Sequence, residues 1–303
     1  SGLVGSEMCI RDSYPVMQRR DVMVNANDSH WATHWEERLT GFPSLAGIEG
    51  TPRSLRTRMN LLRARELSER GGVTNDVLLG TVFDNVAYSA LLLRDAVVDR
   101  CRTAGTVTVE GHEADLVAVA DVLAAWGGTM GLDDPGAALW RELMAGFPKE
   151  QRLDAGGLFA VGFDPGDVVG TPHTLAPAPD GGVDPVVQAA GHAARVLAAA
   201  GLPLDVALRD CQWADRGAVR VPVHGGTESD GVMNVLDPVV VLPPMTLEPA
   251  PARPDRIAGR DATGLAQGGY PVVYGASFLM SVDMTTDGPV GVGLLAYGQN
   301  EDP

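Results

Sequence analysis

The sequence predicts an α+β protein, and three observations carry that reading. Apolar residues recur at helical spacing through the middle of the chain. The period then drops to two near the C-terminal end, starting with the alternation Ala218-Val-Arg-Val-Pro-Val223. Helical and strand-like segments come in blocks, which is α+β order and not the alternation of a βαβ sheet.

The elements follow in chain order. Residues 14–40 are polar and irregular, with Asp21-Val-Met-Val-Asn25 as a short strand candidate. Leu39-Thr-Gly-Phe-Pro-Ser44 has loop chemistry. Thr51-Pro52 reads as a helix start, with Thr as N-cap and Pro at the first helical position. Leu55, Met59 and Leu62 form its apolar stripe, Arg53, Arg56, Arg58, Arg63 and Arg65 crowd the rest, and Gly71-Gly72 closes it. A second helix is expected over about 75–102, a third over 113–126 and a fourth over 136–147. The Gly, Pro and Asp content of 154–184 predicts a long loop. A helix is expected over 184–200, capped by Asp184, with Pro185 at its first position and Gly201 as its stop, then a short one over 204–212. Val239-Val-Val-Leu242 is a strand candidate, and the five prolines of 243–258 read as a linker. Two strands, 270–283 and 290–297, are joined by Thr285-Thr-Asp-Gly-Pro289 as a hairpin.

The chain has 303 residues, with 45% apolar and 20% charged side chains. That composition supports a sizeable core in one or two domains. It contains no apolar run long enough to span a membrane. A net charge of −16 disfavours general nucleic-acid binding. Cys9, Cys101 and Cys211 lack metal-type spacing and read as small buried side chains. No internal repeat, GxGxxG turn or P-loop is present. Residues 1–13 lack both the basic and the apolar region of a signal peptide and read as a translated adapter scar, to be set aside with Cys9.

The densest polar segment is Asn25-Ala-Asn-Asp-Ser-His-Trp-Ala-Thr-His-Trp-Glu-Glu37. A metal reading uses His30 and His34 at i, i+4 with Glu37, although Trp31 stands where a zincin has Glu. A triad reading with Ser29 is disfavoured, because its relay needs residues from separate segments and no GxSxG surrounds the serine. A backbone reading makes Asn27, Asp28 and Ser29 a turn whose side chains bond the local main chain, with Trp31 and Trp35 packing beneath. Asp28 and Glu36 lack the opposed environments of an acid–base pair, and His224-Gly-Gly226 reads as a strand-end turn.

A fourth reading comes from resemblance. Val24-Asn-Ala-Asn-Asp-Ser-His-Trp31, Leu39-Thr-Gly-Phe-Pro43 and Thr51-Pro-Arg-Ser-Leu-Arg-Thr-Arg58 resemble the penicillin acylase family, in the branch of the aculeacin-A and acyl-homoserine-lactone acylases. Downstream, Leu123-Ala-Ala-Trp126, Gly131-Leu-Asp-Asp-Pro-Gly-Ala137, Val221-Pro-Val-His-Gly-Gly226 and Gly275-Ala-Ser-Phe-Leu-Met-Ser-Val-Asp283 keep the family's order. The sequence departs from the family after Trp31, where His34-Trp-Glu36 replaces a turn ending in Asn-Pro, and after Trp126, where Gly127-Gly128 replaces Asp-Gly.

The resemblance implies an N-terminal-nucleophile (Ntn) hydrolase, in which a precursor cleaves itself into α and β chains and the new N-terminal Ser attacks an amide. This chain is then a C-terminal portion of the β-chain of an αββα fold. Its parts are a core strand and loop segment at 14–51, a helical excursion at 52–213, and a β-rich return at 214–303 cut short at its end. Asn27 falls on the side-chain donor of the oxyanion hole, and Arg56, before Arg53 or Arg58, on the supporting arginine. The expected substrates are a lipopeptide, an acyl-homoserine lactone or a β-lactam. The expected partners are the α-chain and the upstream β-chain segment. No cofactor is implied, a structural calcium in the complete enzyme stays open, and the location implied is secreted or periplasmic. The nucleophile lies outside this sequence, so the chain by itself is expected to be inactive, and incomplete sheets are expected to favour aggregation. Two other readings stand beside this one: a non-catalytic binding or scaffold module, and a His30/His34 metalloenzyme.

Overall fold

The computed structural model describes residues 14–153, 156–216, 219–239, 254–276 and 278–295. The stretch read as an adapter scar, most of the proline-rich linker and the chain beyond Leu295 lie outside the described residues.

Helices and strands are both present, as α+β order requires. The helices are α1 (Leu55–Arg70), α2 (Asn75–Phe83), α3 (Tyr88–Ala104), α4 (Leu116–Ala125), α5 (Ala137–Met144), α6 (Lys149–Leu153), α7 (Pro185–Ala199) and α8 (Leu208–Cys211). The strands are β1 (Thr106–Val109), β2 (His112–Asp115), β3 (Phe159–Val161), β4 (His173–Leu175), β5 (Gln212–Arg216), β6 (Val219–Pro222), β7 (Leu236–Asp237), β8 (Tyr270–Pro271), β9 (Tyr274–Gly275), β10 (Phe278–Thr285) and β11 (Gly288–Leu295). Among the described residues they form small sheets: β1–β2, β3–β4, β7–β9 and β10–β11 as pairs, and β6–β5–β8 as three strands. β5 runs antiparallel to β6 and parallel to β8.

The main core is helical. Leu93, Val97 and Cys101 of α3 meet Leu116, Val119 and Leu123 of α4, Leu139, Trp140 and Leu143 of α5, and Val186, Ala190 and Leu197 of α7. Caps set these helices. Asp115 accepts from Val117 N and Ala118 N at the start of α4, and Asp184 accepts from Val186 N before Pro185 opens α7. Buried Cys101 and Cys211 are free thiols, pushed up to about 11 and about 12 by burial. A smaller cluster of Trp31, Leu61, Val168 and Val169 joins the N-terminal loop to α1. No helix among the described residues is long and apolar enough to cross a membrane.

Several sequence expectations are corrected. α1 begins at Leu55, with Ser54 as its cap: Ser54 Oγ accepts from Thr57 N at 3.2 Å, while Thr51 is held by Arg53. The expected helix over 75–102 is two helices. Asp84 Oδ1 accepts from Val86 N at 3.1 Å, and Asn85 takes a left-handed φ of 53°, so an Asx turn separates α2 from α3. The expected helix from 113 starts at Leu116, because Thr106-Val-Thr-Val109 pairs with His112–Asp115 as a hairpin through Glu110-Gly111. The loop expected over 154–184 contains the β3–β4 pair. The helix expected over 204–212 is one turn, and Gln212 already belongs to β5. Residues 270–283 break into three strands, and the strand expected at 21–25 is irregular, held by Val24 N to Thr33 O at 2.9 Å. Of the candidate strand 239–242, only Val239 is described.

Candidate active site

Residues 24–37 fold as a chain of side-chain-capped turns. Asn27 N donates to Asn25 Oδ1 at 2.8 Å and Ser29 N to Asp28 Oδ1 at 2.7 Å. Ser29 Oγ accepts from Trp31 N at 3.3 Å, opening a single 3-10 turn over His30–Ala32. The backbone reading of this segment therefore holds for Asp28 and Ser29, and Asn25 joins them. Asn27 differs. Its φ of 56° is left-handed, a conformation that Asn tolerates better than most residues. Its side chain caps nothing and points to α1.

The start of α1 fastens this loop. Arg56 donates through Nη2 to Ala26 O and, at 3.2 Å, to Asn27 Oδ1. A guanidinium has no acceptor, so the atom facing it is the amide oxygen and Nδ2 is turned outward. Nδ2 has no partner among the described residues, and Asn27 is exposed. Asp28 is the second tie: Arg53 Nη1 donates to Oδ1 at 2.6 Å and Thr57 Oγ1 to Oδ2 at 2.7 Å. The Arg53 guanidinium also lies 5.6 Å from the Trp31 ring centre. Arg58 is buried. It donates through Nε to Val169 O at 2.9 Å, stacks 4.9 Å from the Tyr88 ring, and has its pKa lowered by burial. The structure thus brings Asn27 and Arg56 together and gives Arg53 and Arg58 other partners.

Glu228 adds an anion behind Arg56, with Oε1 3.8 Å from Nε. It sits in the turn Thr227–Gly231, which packs where α1 and α3 begin: Ser89 Oγ donates to Asp230 O at 2.9 Å. Sequence reasoning missed Asp28, Thr57 and Glu228 as members of this assembly. Glu228 lies 201 positions after Asn27, and no local pattern links them.

The histidines stand apart from this chemistry. His34 Nδ1 accepts from Glu36 N at 3.1 Å and Glu37 N at 3.3 Å, and its ring stacks on Trp35 at 4.0 Å. Burial, followed by the Arg19 charge, lowers its pKa. His30 is held by Ala46 O and Glu49 Oε1, each at 3.2 Å. A single 3-10 turn does not give two imidazoles the i, i+4 relation of an α-helix, so the metal reading loses its geometric basis. Ser29 Oγ is engaged as a cap, which removes the triad reading.

An amide whose oxygen is clamped by a cation and whose N–H is free is a fixed neutral donor. It can stabilise developing negative charge without titrating near neutrality. A model of the penicillin amidase family matches residues 8–303. Aculeacin-A acylase of Actinoplanes utahensis is 34% identical over 302 residues, covering 96% of this chain and 33% of that protein. Acyl-homoserine lactone acylase PvdQ of Pseudomonas fluorescens (strain Pf0-1) is 28% identical, covering 95% of this chain and 33% of that protein. PvdQ of Pseudomonas syringae pv. syringae is also 28% identical, with the same coverage. The chain spans about a third of the length of these relatives. With the family model matched across nearly its whole length, the chain belongs to the penicillin amidase family.

Proposed function

We propose that this chain carries the side-chain half of the oxyanion hole of an acylase that hydrolyses the amide of an acylated amine. The observation that carries the reading is the Arg56–Asn27 contact, which leaves Asn27 Nδ2 free as a donor. In this reading Asn27 donates to the oxyanion of the tetrahedral intermediate. Arg56 is a positioning residue that holds the amide oxygen and polarises the group. Glu228 and the Asp28–Arg53–Thr57 ties keep the loop and guanidinium in register.

The nucleophile is the N-terminal Ser of a β-chain segment upstream of this sequence, activated by its own α-amine. That segment and an α-chain are the partners, and with this chain they make up an αββα fold. The substrate is a lipopeptide, an acyl-homoserine lactone or a β-lactam, and the location is secreted or periplasmic. Named relatives act as aculeacin-A acylase and acyl-homoserine lactone acylase, which supports the acyl-amide class.

A chimera tests this: residues 14–303 replace the matching third of aculeacin-A acylase. Asn27→Ala is expected to lower kcat by roughly 10²–10³ with little change in KM. Full activity in that variant would overturn the assignment. Residues 14–303 alone are expected to hydrolyse no acyl amide, and normal turnover by that chain would refute the placement of the nucleophile elsewhere.

A further inference from the structure

The turn that separates α2 from α3 builds a second polar constellation, at the end of an apolar cleft. The cleft encloses about 270 Å³, and its walls include Phe83, Leu236, Val272, Leu279 and Leu294. His224 and Asn234 supply polar side chains at the end nearest Asn85. None of these residues belongs to the Asn27 loop.

Hydrogen bonds settle which way each group faces. Asn85 Nδ2 donates to Phe83 O at 2.7 Å, which fixes the orientation of that amide. Asn234 Nδ2 donates to His224 O at 3.2 Å and to Asn85 Oδ1 at 3.3 Å, which fixes the second. Both Nδ2 groups then reach His224 Nδ1, at 3.0 Å and 3.2 Å. Asn85 Nδ2 has one hydrogen on Phe83 O and its other directed at Nδ1 at 3.0 Å, closer than Asn85 Oδ1 at 3.3 Å, so Nδ1 is assigned the lone pair and Nε2 the proton. Nε2–H has no partner among the described residues, and the Phe83 ring holds the imidazole edge-on at 5.5 Å. Burial lowers the His224 pKa, which keeps the ring neutral at pH 7. The backbone is braced as well: Met130 N donates to Asn85 O at 2.8 Å and Gly225 N to Met130 O at 2.9 Å.

We propose that this cleft binds an uncharged amphiphile whose oxygen accepts a hydrogen bond from His224 Nε2 while its hydrocarbon part lies between Leu236, Val272, Leu279 and Leu294. The head is an acceptor because the exposed ring atom is a donor. The head is uncharged because no Lys, Arg, Asp or Glu is among the described residues that line the cleft, and the net charge of −16 repels anions. The volume suits a short chain or single ring, at the lower end of small-molecule sites. The inference stands independently of the acylase reading.

Octanamide is a suitable probe, with octanoate as its charged counterpart. Each is titrated into the isotope-labelled 303-residue chain, following the His224 ring N–H and the Leu279 and Leu294 methyl resonances. The expected result is a saturable shift at all three with octanamide, and binding at least tenfold weaker with octanoate. His224→Phe keeps the apolar volume and removes the donor, so it should weaken octanamide about threefold to tenfold. Leu294→Trp should abolish binding by filling the cleft, with Val272→Phe as a second filling variant and thermal melting as the check on folding. Absence of a saturable shift at His224, equal affinity for octanoate, or unchanged octanamide affinity in a folded filled variant would each overturn the proposal. Shifts confined to the exposed hairpin residues Phe278 and Met280 would do the same.

Discussion

Replacing Asp230 by Ala removes the carboxylate that, among the described residues, pairs with a fully enclosed guanidinium. Arg141 and Asp230 are 2% and 1% exposed, and Arg141 Nε lies 3.1 Å from Asp230 Oδ2. Arg141 also donates to Gln212 Oε1 at 2.7 Å and lies 4.7 Å over the Tyr270 ring. Burial opposes its charge, and Asp230 with its neighbours more than offsets that. Without Asp230 the neutral partners stay and the counter-charge goes. Breaking a buried pair in this way costs about 3–5 kcal/mol. At about 2–4 °C per kcal/mol for a domain of this size class, the melting temperature should fall by on the order of 10 °C. Urea unfolding followed by tryptophan fluorescence reads this directly, because Trp126 and Trp140 lie in the adjoining core. The double variant Arg141→Met/Asp230→Ala should recover most of the loss, since it leaves no unpaired charge. A loss below about 1 kcal/mol for Asp230→Ala, or additive losses in the double variant, would refute the argument. The effect extends toward Asn27. Asp230 Oδ2 also accepts from Thr227 N at 2.7 Å, so it shapes the turn that carries Glu228 toward Arg56. Gly231 closes that turn at φ 81°, and a Cβ there would stand 2.9 Å from the Cβ atoms of Leu55 and Tyr88.

Three further outcomes are expected. In the acylase chimera, Arg56→Ala should lower kcat by about tenfold to a hundredfold with KM nearly unchanged, and Arg56→Lys should recover part of the loss, because a single nitrogen, Nη2, makes both contacts and an ammonium has donors enough to replace it; full kcat in Arg56→Ala would remove Arg56 from the site. Burial lowers the pKa of His34, His192 and His224 below the ordinary 6.5, so the unfolded chain binds protons first as pH falls. Their stabilising effect is complete above pH 6.5 and declines below it, and a urea midpoint unchanged between pH 7.5 and 5 would contradict this. Phe278, Met280, Val282 and Met284 present one apolar face of β10, 54%, 60%, 44% and 80% exposed; Met280→Lys should reduce self-association of residues 14–303 in sedimentation, and a wild-type chain that is already monomeric would refute that role for the face.

The helices with strong end signals were legible from sequence. Asp184, Pro185 and Gly201 bracket α7, and Gly71 ends α1 through a bond from its N–H to Leu67 O. The break between α2 and α3 was hidden, because no Gly or Pro interrupts 81–104 and the hydrophobic period continues across it. What breaks the helix is an Asx turn at Asp84 and a bridge from Val86 to Thr129, a contact 43 positions away. The β1–β2 hairpin was lost beneath the helical pattern that follows it, although the alternation Thr106-Val-Thr-Val109 and Glu110-Gly111 carried a signal. At the candidate site, the pairing of Asn27 with Arg56 was legible through family resemblance, and the local turn through composition. Glu228 and the Asp230–Arg141 pair arise from tertiary packing and leave no local trace.

The crowd of arginines at the start of α1 shows how packing assigns different work to similar residues. Arg53, Arg56 and Arg58 lie within six positions, and composition alone reads them as one solvated face. Arg58 points into the core and holds Val169 and Tyr88, securing the helix to the segment beneath it. Arg53 pairs with Asp28 and covers Trp31, so it fixes the loop on the far side of Asn27. Arg56 lies between these two anchors and meets the loop at Ala26 O and Asn27 Oδ1. A long flexible side chain alone would hold an amide poorly, because ordering it costs side-chain entropy. Here the helix and the loop are fastened on both sides first, so Arg56 loses less freedom in reaching Asn27. That order of dependence makes the amide a preorganised donor, the property that electrostatic stabilisation of a transition state requires.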